Sequence, residues 1–110
     1  MKLPNGGVAI VEERKIREYL VSRSHPVGRF KARFFASLGY GPDNWRVLAA
    51  AIRGLATHED AQLVEENEHG RKYMVQGTLT GPQGRSAEVV SVWIIRVGDD
   101  VPRLVTVYPR

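Results

Sequence analysis

The sequence contains no cysteine, so neither a disulfide framework nor a thiolate-bound zinc can hold it together. Histidine is scarce: His25, His58 and His69 are the only 3 among 110 residues. A metal site would have to lean on carboxylates, and no ligand spacing offers one. No metal and no cofactor are expected. Apolar runs of membrane-spanning length are missing. The start, Met1-Lys2-Leu3-Pro4-Asn5-Gly6-Gly7, lacks the apolar stretch of a signal peptide, so a cytoplasmic location and no membrane contact are expected. Phosphate loop, nucleophile elbow, His-Glu-x-x-His helix and dinucleotide-binding glycine set are all absent. Gly39-Tyr40-Gly41 follows no strand and reads as a turn.

What is present fits one small globular core. Apolar residues make up 43% and charged residues 25% of the chain, which is ordinary for a folded domain of this length. The formal charge is +4, and its distribution says more than its size. Arg14, Lys15, Arg17, Arg23, Arg29, Lys31 and Arg33 are offset in that stretch by Glu18 alone. Glu59, Asp60, Glu65, Glu66 and Glu68 form an acidic block further on. Either the molecule has a positive and a negative end, with a polyanion as partner of the first, or these are two solvated faces.

Hydrophobic periodicity gives the fold class: α+β, three N-terminal helices followed by a four-stranded antiparallel β-meander. Residues 1–11 read as an irregular N-terminal arm, broken by Pro4 and Gly6-Gly7, before a single domain over 12–110. Glu12–Arg23 reads as helix, with Ile16, Tyr19 and Leu20 on one face, ended by His25-Pro26. A second helix spans Val27–Leu38 and stops at Gly39. A third starts near Pro42-Asp43, with Asp43 as cap, and carries Trp45, Leu48, Ile52 and Leu55 to about Thr57-His58. The period then changes to 2. Strands are predicted over Ala61–Glu68, Arg71–Thr80, Ser86–Val97 and Val101–Tyr108, joined by turns short enough to require antiparallel pairing.

The chemistry concentrates in His25–Phe35. Val27, Lys31, Phe34, Phe35 and Leu38 share a helical face, which places a lysine in line with an apolar stripe. Its ammonium either snorkels past the core edge or faces an anion. Arg29 and Arg33 form a like-charged i, i+4 pair, stabilised if something anionic sits there. His25, fixed by Pro26, titrates near neutrality and could transfer a proton, or simply cap the preceding helix. On the sheet, the aliphatic sets (Val90, Val92 and Ile94 among them) are expected under the helices. The faces bearing Ser91, Trp93, Thr106 and Tyr108 would then be open and able to stack bases, or form a second small core under the N-terminal arm or a partner.

Taken together, Lys15-Ile16-Arg17-Glu18-Tyr19-Leu20, His25-Pro26-Val27-Gly28, Lys31-Ala32, Phe34-Phe35, Leu38-Gly39-Tyr40, Gly70-Arg71-Lys72-Tyr73, Val92-Trp93-Ile94-Ile95 and Pro102-Arg103-Leu104-Val105-Thr106-Val107-Tyr108-Pro109 resemble an uncharacterised bacterial, toxin-associated domain family. Its order of elements is similar to the barnase/EndoU/colicin/RelE-like ribonuclease superfamily. The resemblance implies His25, Lys31 and Thr106 as catalytic residues, with Trp93 close by. Arg29, Arg33, Trp93 and Tyr108 would contact RNA. It also implies a toxin–antitoxin or polymorphic-toxin setting, and an acidic antitoxin or immunity protein as partner. The alternatives are a non-catalytic nucleic-acid- or protein-binding module, the partner half of a two-gene system, or a homodimer through the Trp93/Tyr108 face.

Overall fold

The computed structural model describes residues 1–22, 24 and 29–110. Among the described residues, three helical segments precede a four-stranded antiparallel sheet whose strands pair in sequence order. The chain is an α+β fold of the kind its periodicity predicts.

Helix α1 comprises a short α turn, Glu13–Lys15, that widens into a π turn, Ile16–Leu20. The Val21 N–H closes it on the Ile16 carbonyl at 3.0 Å. Ile16, Leu20 and Val21 are buried. Helix α2, Arg29–Ser37, turns Ala32 and Phe35 into the core. It ends as a Schellman motif: the Tyr40 N–H reaches the Phe35 carbonyl and the Gly39 N–H the Ala36 carbonyl, both at 2.9 Å. Gly39 makes this turn at φ 93°, in the left-handed region that glycine enters without cost to a side chain.

Helix α3, Trp45–His58, follows a 3-10 turn at Pro42–Asn44. Asn44, rather than Asp43, organises its start. The Asn44 Oδ1 accepts from the Gly41 N–H at 2.7 Å and its Nδ2 donates to the Gly39 carbonyl at 2.9 Å. One side chain thus ties the end of α2 to the beginning of α3. Leu48, Ala49, Ile52, Leu55 and Ala56 form the buried stripe of α3.

The strands are β1 (Ala61–Asn67), β2 (Gly70–Thr80), β3 (Ser86–Arg96) and β4 (Arg103–Pro109), each paired with its sequence neighbour. Helix α3 lies against β2 so closely that a Cβ on Gly77 would stand 2.6 Å from Leu55 Cδ2. This fixes the helix-facing side of the sheet. It carries Tyr73, Val75 and Leu79 from β2 and Val89, Ser91, Trp93 and Ile95 from β3, all buried.

The face assignment therefore differs from the sequence expectation. The mixed Ser91/Trp93 set, not Val92 and Ile94, packs under the helices. The reason is mutual satisfaction of the polar atoms. The Trp93 Nε1–H donates to Ser91 Oγ at 2.9 Å, and the Ser91 hydroxyl donates to the Val75 carbonyl at 2.8 Å. With both donors paired, the indole can bury its large apolar surface.

The first eleven residues are irregular in conformation yet belong to the core: Leu3, Ala9 and Val11 are buried. Ile10 lies parallel to β4, its N–H on the Pro102 carbonyl at 2.8 Å and its carbonyl accepting from the Leu104 N–H at 3.0 Å.

Candidate functional site

In β4 the buried residues are Leu104 and Val107. They stand three apart, whereas a regular strand returns to the same face every second residue. A bulge opposite Val92 and Trp93 absorbs the difference, leaving Val105 as the added residue between Leu104 and Thr106. Strict alternation predicts Leu104, Thr106 and Tyr108 on one side. The bulge breaks that series, and Thr106 comes within reach of α2.

There it meets Lys31. The Lys31 ammonium donates to Thr106 Oγ1 at 2.5 Å, in a part-buried position at the junction of helix and sheet. The two residues lie 75 positions apart. Because the threonine oxygen accepts from the ammonium, its own O–H stays available as a donor. An ammonium and a hydroxyl polarised by it can converge on one anionic oxygen, which is the donor pattern a phosphate requires. Arg33, also on α2, is exposed. His25 and the side chain of Arg29 lie outside the described residues.

Trp93 is placed differently from expectation. Its ring has no exposed surface and is held by Ser91 inside the core, so it offers no platform for a base. It pairs across the sheet with Leu104, while Tyr108 pairs with Val90. Trp93 and Tyr108 therefore do not share the open face, or the homodimer face, that alternation suggested. Tyr108 is half-buried. Trp93 instead supports the strand segment from which the bulge departs.

One polar cluster was not found from sequence. In the turn before β4, Asp99 Oδ1 accepts from the Asp100 N–H at 2.8 Å and the Val101 N–H at 3.2 Å. Chiefly through the Val101 bond, its carboxyl is held below the usual carboxylate range; burial opposes this, and the Asp100 N–H and the Arg103 charge add to it. Arg103 bridges onward to Glu12 at 3.3 Å. Its Nε stands 3.7 Å from Asp99 Oδ2 and has no hydrogen-bond partner among the described residues, so that contact is one of charge only. The Gly98-Asp99-Asp100 turn signal marks the place, but the reach from Arg103 back to Glu12 leaves no local trace.

Among the described residues, no group of three or more His, Asp or Glu could hold a metal ion, and no helix is long and apolar enough to cross a membrane. The chain belongs to the family described as Domain of unknown function (DUF6883), which matches residues 2–110. No curated protein matches it. Among solved structures, it is similar to a chain of a contact-dependent growth inhibition toxin–immunity protein complex from Klebsiella pneumoniae 342. The TM-score is 0.72 at 18% identity, over 96% of this chain and 97% of that one. At that identity the likeness is one of fold.

Proposed function

We propose that the chain is a small ribonuclease-like domain of a bacterial toxin system, cleaving RNA without metal. The observation that carries this reading is the Lys31–Thr106 pair, an ammonium and a hydroxyl able to donate to a phosphate, brought together from 75 positions apart. The fold shared with a chain of a toxin–immunity complex supports the setting and a protein partner.

RNA carries its own nucleophile, the ribose 2′-hydroxyl, so no metal-activated water is needed. A base must take the 2′ proton, donors must stabilise the phosphate as it becomes five-coordinate, and the bond to the 5′-oxygen then breaks, that oxygen taking a proton from solvent water to leave a 5′-hydroxyl and a 2′,3′-cyclic phosphate. His25 is the base in this scheme. Lys31 and the Thr106 hydroxyl hold the non-bridging oxygens. Arg29 and Arg33 steer the backbone into place, an interaction that weakens with salt.

The test is RNA integrity and cell growth on expression of wild type, His25→Ala, Lys31→Met and Thr106→Val, repeated on purified protein with EDTA. Loss of one phosphate donor should slow cleavage by about 10²–10³-fold. Intact RNA with wild type overturns the enzymatic reading, and His25→Ala cleaving as wild type does removes His25 from it. The first result would favour the partner half of a two-gene system.

A further inference from the structure

The two edges of the sheet are finished differently. At the β4 edge Ile10 runs alongside and takes up the Leu104 N–H. At the β1 edge, pairing stops at Asp60, which bridges Lys2, and at the Ala61 N–H, which donates to the Met1 carbonyl. From Gln62 to Asn67 no described residue pairs with the outer side of β1. An uncovered strand edge is a template for another strand, and proteins normally blunt it with lysine, proline or a covering segment. Here β1 has neither lysine nor proline. It has one bulge, at Val64, and the residues there are apolar and half open: Leu63 is 44% and Val64 43% exposed.

The charged residues of β1 itself and its immediate flanks, 59–68, are all acidic. Glu65, Glu66 and Glu68 follow Val64, with Glu59 and Asp60 before the strand. Glu65 faces Lys72 at 3.8 Å and Glu68 faces His69 at 3.5 Å, while Glu66 stands across from Arg71 and makes no ion pair among the described residues. Beside the start of β1, Glu59, Asp60, Gln62, Met74 and Gln76 line a cleft of about 310 Å³. Lys2 already touches Asp60 at 3.8 Å in an exposed contact, which a second cation could share. A cleft with two carboxylates at its rim and a methionine in its wall suits a long aliphatic side chain ending in a positive charge.

A second copy of this chain is a poor occupant of the edge. Pairing β1 with its own copy would set a strand rich in carboxylates and devoid of cations against itself, and like charges across strands destabilise.

We infer that β1 is a docking edge for an extended protein segment in which lysine or arginine alternates with apolar residues. The segment adds a fifth strand, places its apolar side chains on Leu63 and Val64, and sets its cations on the other face of the sheet, against Glu65 and the Glu59/Asp60 cleft. Backbone hydrogen bonds supply affinity and the acids supply selectivity. The edge lies at the far side of the sheet from Thr106, so occupancy leaves the Lys31–Thr106 site open.

The probe is a short, end-blocked peptide of alternating lysine and valine, titrated into the ¹⁵N-labelled full chain. Its counterpart has glutamate in place of lysine. The lysine peptide should shift the amides of Gln62–Asn67 and slow their exchange with solvent, and the glutamate peptide should not. The Glu65→Lys/Glu66→Lys variant, whose changes sit on an exposed strand, should bind roughly tenfold or more weakly. Lys31→Met should bind as wild type does, whatever becomes of RNA cleavage. Equal binding of the two peptides, shifts confined to α2 and β4, or dimerisation of the free chain through β1 overturns the inference.

Discussion

Replacing Ser91 by alanine takes one hydroxyl out of a place that water does not reach. Ser91 and Trp93 are both fully buried. The hydroxyl is the acceptor for the indole N–H at 2.9 Å and the donor to the Val75 carbonyl at 2.8 Å. After the substitution the indole donor remains, in the same core, with nothing to bond. An orphaned buried donor costs about 1–3 kcal/mol, and the lost bond to Val75 adds about 0.5–1.5 kcal/mol. The expected destabilisation is thus about 1.5–4.5 kcal/mol, a sizeable part of the roughly 5–15 kcal/mol that holds a domain together. Tm should fall by on the order of 10 °C. Urea unfolding followed by far-UV circular dichroism measures it without relying on the indole. The double change with Trp93→Phe separates this cause from simple loss of packing. Once the N–H is gone, the serine matters less, so the two substitutions should couple by about 1 kcal/mol or more. A cost for Ser91→Ala below about 0.5 kcal/mol, or strict additivity with Trp93→Phe, would refute the account of why this face of the sheet is dry.

Gly77→Ala should lower the urea midpoint by about 1–3 kcal/mol equivalent, because its new methyl lands 2.6 Å from Leu55 Cδ2 and 3.2 Å from Glu59 Cγ; an unchanged midpoint would mean that α3 does not rest on β2 as closely as described. Asp99→Asn should flatten the acid limb of the stability–pH curve. The folded carboxyl titrates below its unfolded value, so its contribution is complete above the ordinary carboxylate range, near pH 4, and drains away as pH falls through the folded value; the gap between wild type and Asp99→Asn, measured by thermal melts, should be constant at neutral pH and shrink on acidification. Asn44→Ala should destabilise by about 1 kcal/mol, since it releases both the Gly41 N–H and the Gly39 carbonyl; hydrogen exchange in the α2–α3 connection is the direct readout.

The elements were legible in the sequence because each rests on a local signal. The 3.6-residue stripe of Leu48, Ile52 and Leu55 specifies α3, and Gly39 stops α2. The change to period 2 after His58, with turns at His69-Gly70, Gly81–Gly84 and Gly98–Asp100, specifies the meander. What depended on distant atoms was not legible. Alternation identifies two faces of β3 without saying which is inside, and hydropathy favours the aliphatic one. The opposite outcome goes with two linked hydrogen bonds, Trp93 to Ser91 and Ser91 to the Val75 carbonyl, invisible to any scale that scores residues one at a time. The bulge in β4 likewise lacks glycine or any other local mark. As for the site, periodicity singled out Lys31 as a lysine in an apolar stripe, while Thr106, placed by alternation on a mixed sheet face, was joined to it only by the family resemblance. Their contact joins α2 to the last strand, a separation no window of sequence spans.

The bulge at Val105 also determines which kinds of inherited change this protein can absorb. What the fold requires there is that Leu104 and Val107 both reach the core face, not a particular side chain between them. Val105 is half-buried, so many exchanges at that position are absorbed. Losing its codon would be absorbed as well. Leu104 and Val107 would then stand two apart, the spacing of a regular strand, with Thr106 still opposite Val92. The bulge is therefore a place where the strand can shorten by one residue without changing which side chains it buries, and variation in this stretch of the gene should include single-codon losses beside replacements.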